Sequence, residues 1–175
     1  MERMFNSFIE SLKSAGEEIS EDYFNLKEAG SRELIQRERV YCYELYHQLK
    51  NKIVDFYYNL DGELDKSGHS IIEESLGRVK PDFVIHKRGD MENNLAVIEV
   101  KPIDVRANNL KSDIEKIKKF IDRCQYYKGI MLIYGNKDRN YFKENIKNKV
   151  ESINEENLLL VWHQKPNQRM KLIDI

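Results

Sequence analysis

The chain has 175 residues, 41% of them apolar, which is enough for one hydrophobic core and too apolar for a mainly disordered segment. Charged residues make up 34%, but 29 Lys and Arg stand against 30 Asp and Glu, and a net charge of −1 excludes a histone-like or polybasic binder as a description of the whole chain. No uncharged apolar run approaches the roughly 18 residues a membrane helix needs, and Met1-Glu2-Arg3-Met4 leads into an amphipathic stretch rather than a signal peptide, so the sequence predicts a cytoplasmic protein with no membrane partner.

Residues 2–14 and 20–29 read as short amphipathic helices separated near Ala15-Gly16, a helical N-terminal extension over 1–30 ahead of a single domain over 31–175. Ser31 then has the chemistry of an N-cap, and a long helical pattern runs to about Tyr58 with Leu45, Leu49, Ile53 and Phe56 on one stripe. After an Asp61-Gly62 turn, Glu63–Lys66 and Ser70–Ser75 are weak strand signals. Pro81–Lys87 and Leu95–Lys101 are β-prone runs around the polar loop Gly89–Asn94, which together predict a hairpin.

Pro102 ends the second strand, and a helix follows over about Asn109–Tyr126 with Leu110, Ile114, Ile117, Phe120, Ile121 and Cys124 on its apolar face. Ile130–Tyr134 is a continuous apolar run suited to a buried parallel strand. Lys137–Val150 is helical again, and Leu158–Trp162 and Met170–Ile173 close the chain as strands. This order predicts an α/β fold with a mixed central sheet flanked by helices. Cys42 and Cys124 sit inside predicted helices without CxxC or Cys/His spacing, so both are expected to be buried thiols.

Side chains alternate along a strand, so Leu95, Val97, Glu99 and Lys101 share one face. A hairpin pairing Arg88 with Leu95 places Asp82 opposite Lys101; a two-residue change of register places Asp82 opposite Glu99. Either way two carboxylates and an ammonium share one face within about 5–8 Å. Carboxylates between Val, Ile and Val need a partner, because burying a charge is costly unless it is paired or binds a metal. Oxygen ligands of this kind suit Mg²⁺ or Mn²⁺, and a nearby lysine could hold an attacking water or stabilise a pentacoordinate phosphorane, which together describe a phosphodiesterase site.

Pro81-Asp82, sixteen intervening residues and Glu99-Val100-Lys101 resemble the motif of the PD-(D/E)xK nuclease superfamily, of restriction-endonuclease-like fold, and the likeness covers about residues 32–134. The resemblance implies a metal-dependent DNA nuclease leaving 5′-phosphates, with Asp82, Glu99 and the Val100 carbonyl as ligands of Mg²⁺ or Mn²⁺ and Lys101 as the catalytic lysine. Many members add a glutamate from the preceding helix, and Glu44, an acid within Val40-Tyr41-Cys42-Tyr43-Glu44-Leu45-Tyr46, fits that role as a further ligand. Gln125 lies on the helix after the lysine, where some members place a glutamine near the substrate.

The neutral total hides a segregation of charge. Residues 1–100 carry a net of −7 and residues 101–149 a net of +7. Arg106, Lys111, Lys116, Lys118, Lys119 and Arg123 lie within and just before the helix after Lys101, and most of them would point outward, a track for the phosphates of DNA. Glu63 and Asp65 are weaker ligand candidates, and His47, His69, His86 and His163 lack metal-ligand spacing, although His86 is expected on the Asp82 face. Tyr41, Tyr43, Tyr46, Tyr57 and Tyr58 read as packing residues rather than base platforms. Two other readings stand beside the nuclease: a catalytically inactive nucleic-acid-binding or complex-assembly module of the same fold, and a hydrolase of RNA or nucleotides. With no recognition domain in view, specificity would come from the N-terminal helices, a homodimer or a partner protein.

Overall fold

The structure, a computed structural model, describes residues 1–30, 33–63, 80–90 and 92–175. Ser31, Asp65, His69 and the expected strand over 70–75, with all but the first residue of the one over 63–66, lie outside the described residues.

Helix α1 (Glu2–Ala15) forms where the sequence places it, with Phe5, Phe8, Ile9 and Leu12 at i, i+3, i+4 and i+7 on its buried face. These four side chains belong to the same buried cluster as the sheet, so the N-terminal segment is part of the core. The second expected helix shrinks to α2 (Glu21–Phe24). Beyond it β1 (Leu26–Lys27) pairs antiparallel with β2 (Leu34–Ile35), which occupies what reads as the start of the long helix. Helix α3 therefore spans only Glu38–Lys52, burying Tyr41, Cys42, Leu45 and Leu49.

A six-stranded sheet follows. Strand β3 (Asn59–Gly62) runs through the Asp61-Gly62 pair that reads as a turn, because Asp61 is neutralised inside the fold: Arg88 forks onto both its oxygens and His86 Nε2 lies 2.8 Å away. The Arg88 hydrogen bond, with help from His86, holds the Asp61 carboxyl down at about 2. Strands β4 (Phe83–His86) and β5 (Asn94–Pro102) form the expected hairpin. Helix α4 (Ala107–Cys124) carries the chain back to β6 (Lys128–Tyr134), which is parallel to β5. A helical stretch over 139–151, including a π turn at Lys143–Lys147, leads to β7 (Leu158–His163), and β8 (Lys171–Ile173) closes the order β3-β4-β5-β6-β7-β8.

Three layers result. Helices α1 and α3 cover one face of the sheet over Ile85, Ala96, Ile98, Val100, Leu132 and Tyr134. Helix α4 and the 139–151 stretch cover the other over Val84, Val97, Met131, Ile133 and Trp162. Among the described residues no helix is long and apolar enough to cross a membrane.

Gly129 sets how closely α4 approaches the sheet. A Cβ there would lie 2.1 Å from Ile117 Cγ2 and 3.1 Å from Ile121 Cδ1. Gly129→Ala should cost about 1–3 kcal/mol by overpacking. Ile117→Ala removes the clashing methyl, so in urea unfolding the double variant should lose less than the sum of the single losses; strict additivity would contradict the contact.

Burial pulls the His163 imidazole down to about 4, and its Nδ1 faces the Tyr41 hydroxyl at 2.9 Å. An unfolded histidine titrates near 6.5, so the unfolded chain takes up the proton first and stability falls as pH drops from about 6.5 toward 4. Between pH 7 and pH 4.5 this group should remove about 2–3 kcal/mol. Unfolding curves of wild type and His163→Gln at the two pH values check it, because the extra pH-dependent loss should vanish in the variant.

Candidate active site

The site forms where the hairpin ladder runs out. Phe83 pairs with Ile98, Val84 with Val97 and Ile85 with Ala96, and continuing this register by one residue sets Asp82 opposite Glu99. This is the second of the two registers open to the sequence. Past Phe83 the Asp82 carboxylate replaces a backbone carbonyl as acceptor and receives the Val100 N–H at 2.7 Å, while Pro81 has no N–H to give in return. On the other side the Asp82 carbonyl accepts the Glu63 N–H at 3.0 Å. Asp82 is thus fixed through main chain and side chain together.

A bulge between Ile85 and His86 pairs His86 with Asn94 and skips Leu95. Leu95 consequently packs in the α1/α3 cluster instead of sharing a face with Val97. His86 engages Asp61 at the opposite end of β4 from Asp82 and takes no part in the site.

Glu99 is 1% exposed and Lys101 lies two residues on, toward α4. Burial first, and the charge of Asp82 second, push the Glu99 carboxyl up to about 8. Burial also raises Asp82, against the pull of the Val100 N–H. For Lys101 burial works against the charge, but Asp82 and Glu38 outweigh it and raise its pKa, so the ammonium stays protonated.

Two partners, Glu38 and Asp113, are not among the residues that the sequence pattern singles out. Glu38, in the first turn of α3, accepts from Lys101 Nζ at 2.9 Å. Asp113, on α4 and 8% exposed, stands 3.5 Å from Lys101 Nζ and 3.1 Å from Lys116 Nζ. Its signal was legible: a carboxylate three residues after Leu110 and directly before Ile114 interrupts the apolar stripe of an amphipathic helix.

Glu44 is placed elsewhere. Six residues from Glu38 is about 240° around a helix, and Glu44 accepts from Gln48 one turn along instead of meeting Asp82 or Glu99. Lys116 also departs from expectation: it points inward and donates to Glu99 Oε2 at 2.8 Å. Lys118 pairs with Glu155 at 2.9 Å, whereas Arg106, Lys111, Lys119 and Arg123 are exposed. Gln125 is the left-handed residue that ends α4, about 14 Å along the helix beyond Lys116.

A cavity of about 490 Å³ opens beside Lys101, lined by Glu38, Arg106, Asn109, Ser112 and Asp113 among others. A second of the same volume, lined by Arg39, Tyr43, Tyr46 and Asp82, lies on the α3 side and also meets Glu38.

The donor chemistry fits a hard divalent cation. Four carboxylates, Glu38, Asp82, Glu99 and Asp113, face two ammonium groups, Lys101 and Lys116, and the fully ionised set carries a net of −2. Glu99 Oε1 is buried and has no hydrogen-bond partner among the described residues. No three His, Cys, Asp or Glu side chains among the described residues are grouped to hold an ion unaided. A cation on Asp82 and Glu99 would therefore complete its shell with main-chain oxygen and water, which is the habit of Mg²⁺.

No protein-family model matches the chain, and no curated protein or solved structure does so either.

Burial raises the carboxyls of both Asp82 and Glu99, and the charge of Asp82 raises Glu99 further, so this charge works against the folded state. Asp82→Asn keeps an oxygen for the Val100 N–H and removes one of the charges. In chelator it should therefore raise unfolding free energy by about 1 kcal/mol, measured by urea denaturation. A loss of stability would show that the Asp82 charge holds the hairpin together.

Proposed function

We propose that the protein is a metal-dependent nuclease that hydrolyses DNA phosphodiester bonds, built on a restriction-endonuclease-like core. The observation that carries this reading is the placement of Asp82 opposite Glu99, with Lys101 two residues on, at the end of a hairpin beside an open cavity. The run α3-β3-β4-β5-α4-β6, with three antiparallel strands and a fourth parallel to the third, is also the order that resemblance to the PD-(D/E)xK superfamily implies.

In this reading Asp82, Glu99 and the Val100 carbonyl hold Mg²⁺ or Mn²⁺, which when bound neutralises phosphate charge and makes water a better nucleophile. Glu38 takes the place in the helix that precedes the hairpin which Glu44 was expected to fill, acting through Lys101. Because Lys101 stays protonated, it works as a fixed positive charge that orients water and stabilises negative charge gathering on the phosphate, and not as a general base. Arg106, exposed at the start of α4 and lining the cavity, is placed to meet a flanking phosphate, with Lys111 five residues further on. The +7 segment thus contributes Arg106, Lys111, Lys119 and Arg123 to a backbone track, while Lys116 belongs to the centre.

The test combines melting curves with cleavage of supercoiled, linear and single-stranded DNA and of RNA, with and without Mg²⁺ or Mn²⁺. Metal should raise the melting temperature of wild type, and Asp82→Asn or Glu99→Gln should abolish the rise. Lys101→Ala should lower turnover roughly a hundredfold with little change in DNA affinity. An unchanged melting curve at millimolar metal together with intact DNA overturns the proposal. Cleavage of RNA alone would reassign the substrate.

A further inference from the structure

Helix α4 brings two charged side chains into the centre, and neither belongs to the motif that suggested the nuclease reading. Asp113 occupies a position that the helical period reserves for an apolar residue, and its two oxygens are divided between two ammonium groups, Oδ1 to Lys116 and Oδ2 to Lys101. Lys116 already holds two carboxylates, at 2.8 and 3.1 Å, and its side chain is 22% exposed. By contrast Lys111 is 71% exposed and, among the described residues, reaches only its helical neighbour Glu115, as a solvated lysine does. A cation as desolvated and doubly paired as Lys116 has little left to offer a DNA phosphate.

We infer that Asp113 and Lys116, one helical turn apart, are positioning residues for the proposed reaction, an inference that rests on the nuclease reading. Lys116 grips Glu99 by Oε2 and leaves Oε1 as the unengaged oxygen, so it decides which edge of the carboxylate is offered as a ligand. Asp113 fixes the direction of both ammonium groups at once, tying the lysine that acts on the phosphate to the lysine that aims Glu99. The chain Glu38, Lys101, Asp113, Lys116, Glu99 joins α3, β5 and α4 through alternating charges. Outer residues of this kind govern metal affinity and turnover without touching substrate.

The experiment is calorimetric titration of Mn²⁺ into the full-length protein and its Lys116→Met, Lys116→Arg and Asp113→Asn variants. It is paired with steady-state cleavage and with DNA binding in chelator across a salt series. Lys116→Met should weaken Mn²⁺ binding by roughly ten- to a hundredfold, Lys116→Arg should restore most of it, and neither should alter the salt slope of DNA binding. Asp113→Asn should lower kcat more than tenfold with KM for DNA little changed. If Lys116→Met does not fold, the split between kcat and KM in Asp113→Asn decides the matter by itself. Unchanged Mn²⁺ affinity with weaker DNA binding and a shallower salt slope would make Lys116 a phosphate contact and overturn the inference. Tighter Mn²⁺ binding in Lys116→Met would also overturn it, since the ammonium would then be a mere competitor. A wild-type protein that binds no Mn²⁺ overturns the nuclease reading and this inference together, whereas wild-type binding that both substitutions leave intact overturns this inference alone.

Discussion

The hydrogen bond from the Val100 N–H to the Asp82 carboxylate takes over where the β4–β5 ladder stops, and the arrangement of the centre follows from it. A side chain there does what a backbone carbonyl does one pair earlier, so β5 can run on past its partner without an orphaned donor. The bond also selects between two registers that the hydrophobic pattern cannot separate, since a shift of two residues leaves every side chain on its original face. Once Asp82 stands opposite Glu99, Lys101 is carried to the strand end where the first turns of α3 and α4 meet.

Convergence of three elements explains how so many charges tolerate burial. Each carboxylate of the centre reaches a cation or a main-chain N–H, and each ammonium reaches two carboxylates or a carboxylate pair spread over two helices. One oxygen of Glu99 has no hydrogen-bond partner among the described residues, and burial, with the Asp82 charge second, raises the pKa of that group. The surrounding sheet, apolar on both faces, supplies the rigidity against which this tension is held.

The elements that depend on long periodic patterns were legible: the hairpin, the apolar stripe of α4, the buried parallel run of β6 and the closing strands. Local chemistry misled where a distant partner overrode it. Asp61-Gly62 has the composition of a turn, yet Arg88 and His86 neutralise the aspartate and let a strand pass through. The stretch before Glu38 reads as part of the long helix, because nothing in its own sequence announces that Leu34–Ile35 pairs with Leu26–Lys27. At the site, Asp82, Glu99 and Lys101 come together as strand parity requires. Glu44 stands out for its apolar neighbours, but Glu38, six residues earlier and about 240° around α3, is the acid that reaches Lys101. Lys116 lies one residue before Ile117, at the margin of the buried face, where a long side chain can turn either way.

The close seat of α4 on Gly129 bears on how related sequences should be compared. The reach of Asp113 and Lys116 to the strand is governed by the height of their helix above the sheet, and that height is governed by a side chain that is missing. A homologue could keep all six charged groups of the centre and still hold them out of register if it carried alanine at this one place. Alignment of the acidic and basic positions alone would score such a sequence as intact; the glycine under Ile117 belongs in the signature as surely as the residues that bear charge.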